Sequence, residues 1–138
     1  KDTQLVEQAV LAANKAYAPY SEFNVGAAVL LNNDKIVSGN NQENAAYPSG
    51  LCAERVALFY ANANYPEEEV KAIAVVALKN GELVPTVVTP CGSCRQVMLE
   101  TENRFSRPIR IIMGSRKGFW IVKNVHDLLP LSFTDDSL

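Results

Sequence analysis

Apolar residues recur at helical spacing from Gln4 to Tyr17, where Leu5, Val6, Ala9, Val10, Ala13, Ala16 and Tyr17 mark one face and Pro19 stops the run. The period then shortens. Phe23–Leu31 is rich in β-forming residues, Asn32-Asn33-Asp34 is turn chemistry, and a second strand is predicted from Lys35 to Gly39. A polar loop fills 40–50, and the pattern turns helical again over Leu51–Asn62, with Ala53, Val56, Ala57, Phe59 and Tyr60 as apolar positions. Lys71–Leu78 is almost unbroken apolar sequence rich in β-branched residues, which predicts a central strand buried on both faces. Asn80-Gly81 turns the chain, and Leu83–Thr89 is predicted as a strand that Pro85 interrupts. Pro90 is suited to open a helix reaching about Glu102. Strands at Ile109–Met113 and Phe119–Val122 flank a turn, and a short helix over Val125–Leu129 ends at Pro130. Strands alternating with helices predict an α/β layered domain, with helices covering a mixed sheet.

Composition adds bounds. The 138 residues are expected to form one domain, 1–138, large enough to bury a core without disulfides. The formal charge is −2 and the pI near 5.4, and the basic stretches Arg104–Arg110 and Arg116-Lys117 are broken by apolar or proline positions. A polynucleotide backbone would find no electrostatic footprint here, so the expected substrate is a small molecule and not a nucleic acid. The longest apolar run, Ala72–Leu78, is far too short to span a membrane. No charged-then-apolar signal pattern opens the sequence, and because Lys1 is not an initiator methionine, something N-terminal is expected to be missing from the numbering.

Three cysteines are a poor disulfide framework and a plausible metal set, which favours a reducing, cytoplasmic setting. Cys91 and Cys94, three apart at a helix start, lie on one face and can share an ion. Cys52 and Glu54 are two apart, yet in a first helical turn both can reach an ion over the helix end. Three thiolates leave the fourth corner of a tetrahedral zinc site for water, as a catalytic zinc requires. Glu54 would carry that water's proton, and Arg55 would offset the net negative charge of a tris-thiolate centre. Blander readings stand beside this one. The C-x-x-C could be a redox pair, though Cys52 and Glu54 would then go unused. His126 could complete a structural zinc site in a binding module, although a helix-end or surface histidine suits it better. Glu54 and Arg55 alone would be an ordinary exposed ion pair.

Cys52-Ala53-Glu54 together with Pro90-Cys91-Gly92-Ser93-Cys94-Arg95-Gln96 matches the three-cysteine signature of the zinc nucleoside deaminases. Tyr17-Ala18-Pro19-Tyr20-Ser21, Phe23–Ala28, Asn41–Tyr47 and Leu128-Leu129-Pro130 extend the match, and nearly the whole chain resembles the short, tetrameric cytidine deaminases. Asn40 and Gln42 depart from the family's usual Cys and Ile, and Ala46 and Ser49 fall where it varies. The resemblance implies a three-layer α/β/α sandwich on a five-stranded mixed sheet. It also implies hydrolytic deamination of cytidine and deoxycytidine to uridine and deoxyuridine by a zinc-activated water, as in pyrimidine salvage. Cys52, Cys91 and Cys94 would ligate one zinc, with Glu54 as proton shuttle and Arg55 bonded to ligand sulfurs. Asn41 and Glu43 would hold the ribose, Phe23 would pack on the pyrimidine, and the Ala53 amide would meet the base carbonyl. In a homotetramer, neighbouring subunits would add Ala45 and Tyr47 from one and Phe133 from another. Independently of the family, Leu131 and Phe133 are apolar residues in a tail that needs a surface to cover. Rival substrates within the same chemistry are a cytosine-nucleoside antibiotic, or tRNA or single-stranded DNA, the latter two disfavoured by the acidic balance.

Overall fold

In the computed structural model, which describes residues 1–138, the long apolar run forms the middle strand of a mixed sheet. The strands are β1 (Phe23–Leu31), β2 (Ile36–Asn40), β3 (Val70–Lys79), β4 (Glu82–Leu83), β5 (Arg110–Ser115) and β6 (Gly118–Val122), and the helices are α1 (Asp2–Ala13), α2 (Ala53–Asn64) and α3 (Gly92–Phe105). Five strands lie in the order β2-β1-β3-β5-β6, with β4 pairing the end of β3 as a two-residue sixth strand. β3 and β5 run parallel; every other pair is antiparallel.

Successive strand residues point to opposite faces, and each face is claimed by different helices. Ala28, Leu30, Ala72, Ala74, Val76 and Ile112 pack with Leu5, Val6, Ala9 and Ala13 of α1. Ala27, Val29, Ile73, Val75, Ile111 and Met113 pack with Ala57, Leu58 and Ala61 of α2 and with Met98 and Leu99 of α3. The layers are therefore α/β/α, as expected. Gly26 lets α1 lie against the sheet, since a Cβ there would sit 1.9 Å from the Ala9 carbonyl oxygen and 2.6 Å from the Ala13 nitrogen. Gly26→Ala is accordingly expected to cost about 1–3 kcal/mol of unfolding free energy by overpacking. The check is a lower denaturant midpoint at unchanged m-value; an unchanged midpoint would mean that α1 yields freely.

Several boundaries differ from the sequence reading. The first helix stops at Ala13, because Asn14 turns its side chain onto the Val10 carbonyl and the Tyr17 N–H pairs with the Asn41 carbonyl. The strand expected over Leu83–Thr89 shrinks to Glu82–Leu83, since proline has no N–H for the ladder. The helices after Leu51 and Pro90 begin two residues late, at Ala53 and Gly92, with Cys52 and Cys91 as their N-caps. α3 also runs on to Phe105, closed by Ser106 in the left-handed region at φ 51°. No helix is long and apolar enough to cross a membrane.

Candidate active site

Two helix starts meet over one face of the sheet. Gly39 of β2 admits α2 closely, for a Cβ there would lie 2.7 Å from the Ala57 nitrogen and 3.0 Å from the Ala53 oxygen. The N-cap sulfurs of the two helices, Cys52 Sγ and Cys91 Sγ, are 3.8 Å apart, and all three cysteine sulfurs lie within 4.8 Å of one another. A tetrahedral ion with bonds of about 2.3 Å to sulfur needs sulfurs about 3.8 Å apart, so this trio fits zinc. Neither N-cap sulfur bonds the backbone of its own helix, which leaves both available to a metal.

The three cysteines differ in setting: Cys94 is fully buried in the core, Cys52 half-buried and Cys91 exposed. Hydrogen bonding with the Cys94 thiol, aided by Arg55, lowers Cys52 to about 5, while the same bond and burial push the Cys94 thiol up. The Arg55 guanidinium lies 3.4 Å from Cys52 Sγ, and that bond holds it still more firmly protonated. Arg55 Nε is buried without a partner. Glu54, only 4% exposed, has its carboxyl pushed above the usual range by burial.

A cavity of about 430 Å³ opens beside the sulfurs, lined by Phe23, Val25, Asn41, Glu43, Cys52, Ala53, Glu54, Val88, Thr89 and Cys91 among others. Ala53 is the first helical residue of α2, so its N–H has no intrahelical acceptor. Asn41 spends one N–H on the Phe23 carbonyl, at 2.9 Å, and accepts from the Val25 N–H at 2.8 Å; one donor and one lone pair remain. Glu43 Oε1 accepts from the backbone N–H groups of Tyr20 and Ser21, and Oε2 accepts from the Ser21 hydroxyl. The Ser21 hydroxyl foremost holds Glu43 below its ordinary value. The motif Tyr17–Ser21 gives Ser21 no site role by itself; the signal lies in its hydroxyl's reach to Glu43, which only the fold supplies.

The two departures from the family pattern turn out to be partners. Gln42 Nε2 donates to Asn40 Oδ1 at 2.7 Å, and Asn40 Nδ2 donates to the Ala12 carbonyl at 3.0 Å, tying the 41–43 loop to the end of α1. Of the other expected residues, Tyr47 is 79% exposed and lines an adjoining depression with Tyr20, Glu43, Cys52 and Arg55. Ala45 and Phe133 lie outside the cavity, the latter with its carbonyl bonded by Gln96. His126 is half-exposed, 3.6 Å from Glu102, and not a member of the sulfur cluster.

Comparison with known proteins follows the same lines. The family described as cytidine and deoxycytidylate deaminase zinc-binding region matches residues 1–106. The chain is 40% identical over 136 residues to a cytidine deaminase of Halalkalibacterium halodurans, covering 97% of this chain and 95% of that protein. It is 38% identical over 133 residues to a cytidine deaminase of Mycobacterium tuberculosis, covering 94% and 87%. Among solved structures, the cytidine deaminase of Burkholderia pseudomallei superposes with a TM-score of 0.82 at 41% identity, covering 96% of this chain and 99% of that one.

Proposed function

The chain belongs to the cytidine and deoxycytidylate deaminase zinc-binding family, and from that premise we propose that its cavity deaminates cytidine with Glu54 as the proton carrier. It is a zinc-dependent hydrolase. The observation that carries the reading is one cavity lined by Cys52 and Cys91 of the sulfur trio, by the buried Glu54 carboxyl, and by Asn41 and Glu43. Cys52, Cys91 and Cys94 would hold the zinc, which would supply the Lewis acidity that makes water a nucleophile at neutral pH. Glu54 takes a proton from the attacking water as its oxygen bonds to C4, and passes that proton to N3. It then relays the second water proton to the exocyclic amine as the C4–N bond breaks, and uridine and ammonia leave. Burial suits Glu54 to this work, because a carboxyl raised toward neutrality can both take and return a proton.

The remaining residues orient the substrate. Phe23 faces the pyrimidine, the free Ala53 N–H meets its carbonyl, and Glu43 with Asn41 accepts from and donates to the ribose. That clamp engages the 3′-hydroxyl, leaving the 2′ position unread, so deoxycytidine is a substrate too. Steady-state assays with cytidine, deoxycytidine and free cytosine test the whole reading; inactivity on both nucleosides would end it. Glu43→Gln is expected to raise KM for cytidine about tenfold or more, the loss of one hydrogen bond to a charged group. An equal loss on free cytosine would contradict ribose recognition.

A homotetramer is part of the same reading. Leu131 is 95%, Phe133 58% and Tyr47 79% exposed, and neighbouring subunits that bring Ala45, Tyr47 and Phe133 to the cavity would cover them. Three thiols that must stay reduced suit a cytoplasmic setting.

A further inference from the structure

We propose that Arg95 is a positioning residue of the metal centre, its guanidinium fork holding the Cys91 loop against the C-terminal segment. The inference rests on the zinc reading of the sulfur trio. Cys91 is the least supported of the three cysteines: it is exposed, its side chain caps nothing, and it follows a stretch without regular structure. Residues 85–90 hydrogen-bond to the rest of the chain only through Arg95. Arg95 Nε donates to the Pro90 carbonyl at 2.8 Å and an outer nitrogen donates to Thr89 Oγ1 at 3.0 Å. The other outer nitrogen donates to the Leu128 carbonyl at 3.1 Å.

The far end of that bridge is itself anchored. Leu128 and Leu129 pack against the core, and the buried Glu102 carboxylate accepts from the N–H groups of Ile109 and Val125 at 2.8 and 3.0 Å. Rigidity therefore passes from the core through 125–128 and Arg95 to the residue preceding a zinc ligand. All three acceptors are neutral, and no carboxylate pairs with Arg95 among the chain's ion pairs. The role needs three donors diverging from one planar group, which a lysine cannot supply. Groups that orient a metal ligand typically contribute about 10–100-fold in metal affinity.

The test is the rate at which purified, zinc-loaded protein yields its metal to a chromophoric chelator under native conditions. Arg95→Gln and Arg95→Lys are expected to release zinc about 10–100-fold faster than the parent. Thr89→Val, which deletes one bond and keeps two, is expected to quicken release about fivefold; it keeps the test open should the arginine variants fail to fold. Gly26→Ala, on the opposite face of the sheet, serves as a destabilised control and should release zinc at the parental rate. Parental rates in the Arg95 and Thr89 variants would overturn the proposal. So would full rescue by lysine, or acceleration in Gly26→Ala equal to that in Arg95→Gln. Metal analysis before chelator is added separates these results from a failure of the zinc reading itself: a parent without zinc would overturn both.

Discussion

Glu54→Gln is expected to leave a folded, zinc-loaded chain whose turnover of cytidine falls by more than about 10⁴-fold. A single general acid–base role contributes about 10²–10⁴-fold. In the proposed mechanism one carboxyl moves both protons of the attacking water, first to N3 and then to the departing amine, so its loss should exceed the range for one transfer. The amide matches the carboxyl in size, so packing at this buried position is kept. Stability should not fall either. Burial raises the Glu54 pKa, so the folded chain keeps that proton to higher pH than the unfolded chain does. The group therefore withdraws stability as pH climbs from the ordinary carboxyl value through the raised one, and a neutral side chain escapes that loss. Metal analysis, thermal unfolding and steady-state kinetics on the same preparation check all three parts. Turnover within tenfold of the parent would remove Glu54 from the mechanism, and a variant without zinc would make its role structural.

Much of this molecule was legible in the sequence because its signals are local. The run Lys71–Leu78 could only be a strand buried on both sides, and it is the centre of the sheet. The alternation that assigns Ala27 and Ala28 to opposite layers follows from strand geometry alone. The sulfur trio was legible for a chemical reason: three cysteines and one carboxyl two residues from the first leave few other arrangements. Long-range competition was not legible. Nothing in Ala16-Tyr17 announces that the Tyr17 N–H leaves the helix for the Asn41 carbonyl. Residue spacing likewise could not show that the Ser21 hydroxyl fixes Glu43, or that Asn40 links Gln42 to α1. The Cys94-Arg95-Gln96 motif gives Arg95 no role by itself, since its three acceptors lie in two segments that only folding brings together.

Cys94→Ser is expected to remove zinc, abolish turnover and weaken the fold beyond what the missing zinc accounts for, where Cys91→Ser should weaken it only by the loss of zinc. Burial decides the difference. Cys94 is fully enclosed with Met98 and Leu99 in the core, so a serine hydroxyl there lies among apolar side chains besides being a poorer zinc ligand than a thiolate. Cys91 is exposed, and a hydroxyl at that site meets water. Zinc bound only by the folded chain stabilises it by mass action, about 4 kcal/mol when free metal is a thousand times its dissociation constant. At this chain length that corresponds to a shift in Tm on the order of 10 °C. A chelator should therefore lower the parent's Tm by about that amount and leave both serine variants unmoved, with Cys94→Ser melting below the chelated parent. Differential scanning calorimetry with and without chelator reads each term. If chelator left the parent's Tm unchanged, the thiolate trio would not couple metal to folding; if the two variants melted together, the burial of Cys94 would be irrelevant to its cost.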